Sequence, residues 1–333
     1  MIHHNMKIAF LTEMGFTGKV PADHPNMRTE FAWMHALDAD HRYLYHFEEV
    51  RDYDHVFIIF PKGQINYSTI GVKLGDIPNP HSQLLANDWL LKLKANNKKI
   101  YYVQEGPHWM YNELEIADQI HFYNMLASVD AIFARNYDDQ NYYLGLVPNK
   151  VVTTIPTLMI EDTIKDVKWK PEDKAIIGGN FARWYGGFES FIVAQEFNVP
   201  IWGQTSHAKR EHEGQFVNHL PRVMWTDWIK QLSTFKYAIH LMPTVAAGTF
   251  ALNCAYFGIP CIGNSKVDTQ KICHPMLSVN VEDIKTARQL ASQLKKDKSF
   301  YEECSRVARA GYEVAYSLDT WKEQMKRKLD ATK

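Results

Sequence analysis

Two stretches of the chain are built to meet an anion, and two carboxylates are placed to take a proton. The first stretch, Ala175 to Phe197 (AIIGGNFARWYGGFESFIVAQEF), leaves an apolar run at Gly178-Gly179-Asn180, carries Arg183 and enters a helical pattern near Gly187. Glycines let the backbone approach a ligand closely, and a helix start presents N–H groups with no intrahelical partner. Such a loop suits phosphate, with Arg183 as a clamp for a diphosphate. In the second stretch, His240 to Gly263, a strand pattern ends at Met242-Pro243, a helix begins at Gly248, Thr249 and Phe250 and carries Asn253, and it stops at Gly258-Ile259-Pro260. Amides from both loops would converge at the carboxyl ends of strands, where open α/β sheets take ligands. The carboxylates are Glu105, directly after a strand in VQEGPHW, and Glu30, at the start of a helix. Either has the chemistry of a general base toward a hydroxyl.

Other strings are discounted. Asp38-Ala39-Asp40 and Asp52-Tyr53-Asp54 have metal-binding spacing but fall at a helix end and a strand edge, and the scattered histidines have no ligand spacing. GFTGK, from Gly15 to Lys19, lacks the length and the Ser/Thr of a nucleotide-hydrolysing loop, and its glycines instead open space after the first strand.

The elements that must hold these residues alternate between strand and helix. Strands are expected at 6–11, 55–60, 99–103, 130–134 and 151–155, then, after a charged linker at 160–174, at 175–178, 199–203, 237–241 and 259–263. Helices are expected from Met27, from Gln83, at 187–197, 226–235 and 248–257, and from Val281 to the end. The pattern predicts two domains, 1–160 and 161–315, and a C-terminal helix at 316–333 that returns to the first. At 333 residues, 46% hydrophobic and net charge -1, the chain reads as globular rather than disordered. No apolar run is long enough for a transmembrane span or a signal peptide, and four cysteines without CxxC spacing suggest neither a zinc site nor a disulfide framework. A cytoplasmic location and a monomer are expected, and nucleic acid would need a local basic surface.

The segments KIAFLTEMG, KVP with Glu30 further on, YDHVFIIF, NNKKIYYVQEGP, AIIGGNFARWYGGFE and Gly248 to Gly263 keep an order and spacing that resemble GT-B glycosyltransferases. Across most of its length the chain looks most like the bacteriophage DNA β-glucosyltransferases that modify 5-hydroxymethylcytosine. The resemblance implies an α/β GT-B fold, two Rossmann-like doubly wound domains facing a central cleft, with a UDP-sugar in the C-terminal domain, no tightly bound cofactor, and a divalent cation optional but without a ligand motif. It implies donor contacts from Gly15, Gly178, Gly179, Asn180, Arg183, Gly248, Thr249 and Phe250. The uracil would lie on the loop from Leu220 to Val223. Asn253 stands where the family places a glutamate for the ribose.

The resemblance puts the base after the strand at 99–103, where Gly106 aligns directly and Glu105 is one residue away, and brings Glu30 toward the donor sugar. The partner implied is double-stranded DNA containing 5-hydroxymethylcytosine, with the base flipped out. Lys62, Arg135, Lys209 and Arg210 would then contact phosphates, and Trp109 and Tyr111 would stack on the extruded base. The alternatives are a transferase acting on a small molecule, glycan or lipid, and a noncatalytic nucleotide-sugar binding protein.

Overall fold

A computed structural model describes residues 6–12, 16–43, 49–59, 94, 98–113, 116–179, 181–182, 184–204 and 213–332. The chain divides into two compact units. Unit 1 comprises Met1–Ala22, Glu30–Pro156 and Lys322–Lys333, and unit 2 comprises Asp23–Thr29 and Thr157–Trp321.

Among its described residues unit 1 carries β1 (Ile8–Thr12), β2 (Gly18–Lys19), β3 (Asp40–Tyr43), β4 (His55–Ile59), β5 (Lys99–Val103), β6 (Ala131–Ala134) and β7 (Val151–Thr154). The sheet order is β2-β3-β1-β4-β5-β6-β7, parallel except where β2 meets β3. The central strands IAFLT and HVFII are buried at every position, as parallel strands covered on both faces must be. β3 was not expected. Its sequence DHRY is polar, but His41 is wholly buried and bonds Thr12 Oγ1 at 2.8 Å. The end of the chain closes this unit: Met325 and Leu329 are buried, Lys328 Nζ donates to the Thr154 carbonyl, and Thr332 Oγ1 meets the Tyr101 hydroxyl at 3.0 Å.

Unit 2 carries β8 (Glu172–Ile177), β9 (Ile201–Gln204), β10 (Asn218–Leu220), β11 (Phe235–His240), β12 (Cys261–Asn264) and β13 (Ser278–Val279). Every pairing is parallel and the order is β10-β9-β8-β11-β12-β13. Counted from β8, this is the 3-2-1-4-5-6 order of dinucleotide-binding sheets, with its switch point between β8 and β11. The segment 160–174 is a correction. Ile160 and Ile164 are buried, Trp169 Nε1 donates to the Phe235 carbonyl at 2.9 Å, and Glu172 to Lys174 begin β8, so it is a packed lead-in rather than a linker. Residues 23–29 also join this unit, through Thr29 N to Leu158 O at 2.8 Å and Thr226 N to Pro25 O at 3.0 Å. Among the described residues no helix is long and apolar enough to cross a membrane, and the four cysteines are buried thiols.

Candidate functional site

The two glycine loops leave adjacent strands at the unit 2 switch point. β8 and β11 pair in register through Ile177 and Ile239, and Gly178 N donates to the Ile239 carbonyl at 2.8 Å. Gly178 therefore sits beside His240, so closely that a Cβ at 178 would lie 2.6 Å from the imidazole Cγ. Gly179 turns the chain with φ of 74°. Gly186, with φ of 63°, then starts the helix Gly187–Ala194 without a side-chain cap; a Cβ there would lie 1.8 Å from the Leu241 carbonyl oxygen. The helix Thr249–Phe257 begins in the same way. Gly248 has φ of 70° and no side-chain cap, its carbonyl accepts from Thr269 Oγ1 at 2.8 Å, and a Cβ would overlap that hydroxyl at 1.9 Å.

Two helix starts of this kind offer backbone amides rather than side chains to a ligand. Between them stands His240. Its ring meets Phe250 edge-on at 5.0 Å, and its enclosed Nε2 makes no hydrogen bond. Burial lowers its pKa to about 4, which keeps the imidazole neutral near pH 7. In the sequence His240 falls inside the strand expected at 237–241, and its place shortly before the second glycine loop is the signal that could have found it.

The base-binding loop lies in the same unit. Leu220 is buried at the end of β10 and Val223 half-buried before the helix Trp225–Leu232. Asn253, 2% exposed, accepts from Trp225 Nε1 at 3.4 Å, so the helix that starts at Thr249 and the loop leading into Trp225 are joined through these two side chains. Gly15, Asn180, Arg183, Lys62, Lys209 and Arg210 lie outside the described residues.

Unit 1 presents side chains instead. Gln104, wholly buried after β5, donates through Nε2 to the Gly106 carbonyl and to Asp139 Oδ2, both at 2.7 Å, and its Oε1 accepts from Arg135 N at 3.0 Å. Asp139 lies in the first turn of the helix Tyr137–Leu146, whose cap Asn136 accepts from the Asp139 amide and donates to Oδ2 at 2.8 Å. The other carboxylate oxygen meets His108 Nδ1 at 2.6 Å. Glu105 is half-buried in the loop this network holds, and Trp109 is half-buried in the 3₁₀ turn that follows.

Two acceptor expectations are corrected here. The Arg135 side chain is 6% exposed, lies over the Trp33 ring at 4.5 Å and pairs with Glu30 Oε1 at 3.4 Å, so its charge is compensated inside the unit instead of facing a phosphate. The same pair occupies Glu30. Tyr111 is 6% exposed, stacks on Phe122 at 3.8 Å and shares a 3.0 Å hydrogen bond with the Tyr102 hydroxyl, which makes it part of the core. The discounted Asp38 and Asp40 flank Lys19 Nζ at 3.0 and 3.5 Å. Among the described residues no group of three His, Cys, Asp or Glu is placed to hold a metal ion.

No protein-family model matches the sequence, and no curated protein matches it. Solved structures do. Anabaena HepE in complex with UDP aligns with a TM-score of 0.65 at 10% identity, over 98% of this chain and 100% of that one. The sucrose-phosphate synthase of Thermosynechococcus elongatus aligns with a TM-score of 0.62 at 11% identity, over 98% and 100%. The UDP-forming α,α-trehalose-phosphate synthase of Burkholderia vietnamiensis aligns with a TM-score of 0.62 at 9% identity, over 99% of each chain. The fold shared with these structures is GT-B.

Proposed function

We propose that the protein is a glycosyltransferase that uses a UDP-sugar. One observation carries the reading: two glycine-started helices, Gly187–Ala194 and Thr249–Phe257, follow the two switch-point strands of a 3-2-1-4-5-6 sheet. That is a place for a nucleotide diphosphate, whose charge the helix-start amides offset in the ground state and more strongly as it leaves. The neighbour HepE is described with UDP and with UDP and glucose, which supports a sugar nucleotide as the ligand. Leu220 to Val223 would cover the base, and Asn253, buried and bonded to Trp225 Nε1, would hold that loop against the helix Thr249–Phe257 instead of meeting a ribose hydroxyl. Arg183 and Asn180 complete the diphosphate loop in this reading. A soluble, monomeric, cytoplasmic enzyme is part of the same proposal.

The sequence likeness favours 5-hydroxymethylcytosine in DNA as acceptor. Burial of Arg135 and Tyr111 removes two of the groups meant to hold DNA and favours the second reading, a hydroxyl of a small molecule or glycan. Of the two carboxylates considered as base, Glu30 is taken up by Arg135 and Glu105 stays half-buried after β5. Calorimetry should show UDP binding in preference to ADP, and UDP-glucose should release UDP in the protein's presence. Mass spectrometry of a panel of sugars, sugar phosphates and hydroxymethylcytosine duplex, each incubated with UDP-sugars, identifies the acceptor. No binding of UDP, or a preference for ADP, overturns the donor assignment.

A further inference from the structure

The outer face of the helix Gly187–Ala194 is aromatic where a surface helix is ordinarily polar. Phe188 is 62% exposed in its first turn, Phe191 stands three residues on and so on the same face, and the exposed Gln195 follows one turn later. Phe216, 66% exposed between the 3₁₀ turn Glu213–Gln215 and β10, meets the Phe191 ring edge-on at 6.4 Å and 78°. Phe191 also meets Phe181, in the loop between Gly179 and Gly186, at 6.3 Å and 61°. The inner rings, Phe181 and Phe191, pack against the core of the unit. Phe188 and Phe216 leave most of their surface in water, so the core does not explain them.

The surroundings of these rings are neutral. Gln195, Gln215 and Asn218 are exposed amides, and Asn218 Nδ2 donates to the Ile201 carbonyl at 3.2 Å. The described stretches 184–204 and 213–220 contain no lysine or arginine, and Arg288, 2.6 Å from Glu196, is matched by that carboxylate. A nucleic acid or an anionic membrane surface requires counter-charge that this face does not offer. A neutral polyhydroxyl compound requires what it does offer: flat rings for its C–H faces, and amides that both donate to and accept from hydroxyls.

We propose that the face formed by Phe188, Phe191 and Phe216 binds a neutral saccharide chain. A pyranose rests its C–H face on each open ring and turns its hydroxyls to the amides. Successive rings favour a chain over a single sugar. Phe181 ties the face to the loop assigned to the diphosphate, but saccharide binding does not depend on the donor reading.

The test is calorimetry with maltohexaose, cellohexaose, mannohexaose and chitohexaose, each set against its monosaccharide. One or more hexasaccharides should bind at least about tenfold more tightly than the monosaccharide, with an affinity that salt does not change. Phe188→Ala and Phe216→Ala should each weaken binding about fivefold and together abolish it. Both residues are exposed, so the variants should melt as wild type does. Leucine at the two positions should fail as alanine does and tyrosine should bind as phenylalanine does, because the ring face rather than apolar area makes the contact. No hexasaccharide bound, or one bound equally by the double alanine variant, overturns the proposal, and so does a double leucine variant that binds normally. Binding of single-stranded DNA, or dimerisation in sedimentation, that the double alanine variant loses would assign the face to that partner instead. UDP titrated into the same samples keeps the readings apart: wild type that binds saccharide but no UDP overturns the donor assignment alone, and the reverse overturns only the saccharide face.

Discussion

The carboxyl edges of the two sheets are built from different materials. In unit 2 the edge is backbone: Gly178, Gly179, Gly186 and Gly248 hold two uncapped helix starts, and the imidazole among them, His240, is neutral. In unit 1 it is side chain: Gln104, Asn136, Asp139 and His108 bond one another around a buried carboxylate. Backbone amides stand in fixed positions and cannot titrate, which suits a diphosphate that must be held the same way in every cycle. Proton transfer needs a group that changes charge, and only side chains supply one. Binding and chemistry are therefore expected to fail separately when the two edges are altered.

The largest expected effect lies in the glycines of unit 2. Gly186→Ala places a methyl 1.8 Å from the Leu241 carbonyl oxygen in a left-handed conformation, and Gly248→Ala places one 1.9 Å from Thr269 Oγ1. Backbone must move in the first case, so urea denaturation should show a loss of about 4 kcal/mol or more. Gly18 in unit 1 has φ of 98° with nothing within 4 Å, and Gly18→Ala should cost only about 1 kcal/mol of conformational strain. Equal losses at Gly18 and Gly186 would remove the contrast between the units.

Next in size is the ion pair of unit 1. Arg135→Ala takes the guanidinium away from Glu30, whose side chain is 14% exposed, and removes a cation from the face of Trp33. Truncating one partner of a buried pair costs about 3 kcal/mol, read as a lower denaturation midpoint. UDP affinity should not follow, because the glycine loops proposed to hold the diphosphate belong to unit 2. A variant that is stable yet unable to bind UDP would contradict the division of labour.

Acid should act on unit 2. His274, 2% exposed, bonds the Ala251 carbonyl through Nε2 at 3.0 Å, and burial lowers its pKa to about 4. The unfolded chain takes up a proton near pH 6.5 and the folded chain only near 4, so stability is whole above 6.5 and is lost as pH falls from 6.5 toward 4. A difference of that size is worth about 3 kcal/mol across the window. His240 is pushed the same way, and in unit 1 burial also lowers His41. His274→Gln keeps a donor for Ala251 and should flatten the acid limb of a melting-temperature profile. An unchanged limb would show that other groups set it.

These contrasts were unevenly legible in the sequence. Strands such as HVFII and KIYYV announce themselves, because after His55 and Lys99 each is an unbroken apolar or aromatic run, as burial on both faces requires. The helix start at Gly248 and its stop at Gly258 were equally plain, since few residues other than glycine take those dihedral angles. DHRY was not legible as a strand because its burial comes from neighbours, with β1 on one side and β2 on the other. His108 and Asp139 stand 31 residues apart with a helix and a strand between them, and only the sheet brings the ends of β5 and β6 together. Residue type likewise could not tell that Arg135 and Tyr111 point inward: an arginine after a strand reads as a surface cation until Trp33 and Glu30 are seen around it.

The smallest effect is the sharpest probe of the unit 2 edge. Gly178 does not have a left-handed backbone, so alanine there costs no conformational strain, and the three nearest atoms in its way are Cγ, Cδ2 and Cβ of the His240 side chain, at 2.6 to 3.0 Å. A side chain yields more readily than backbone, so the protein should stay folded with the imidazole displaced toward Phe250, its edge-on neighbour in the first turn of the helix Thr249–Phe257. That turn carries the amides assigned to the diphosphate. UDP affinity of Gly178→Ala should then fall about tenfold, or about 1.4 kcal/mol. If the ring transmits the effect, His240→Ala makes room for the new methyl, and adding Gly178→Ala to it should change UDP affinity by less than about threefold. A double variant whose losses simply add would show that the methyl acts on the ligand directly, and that His240 fills space between the glycine loops without setting their distance.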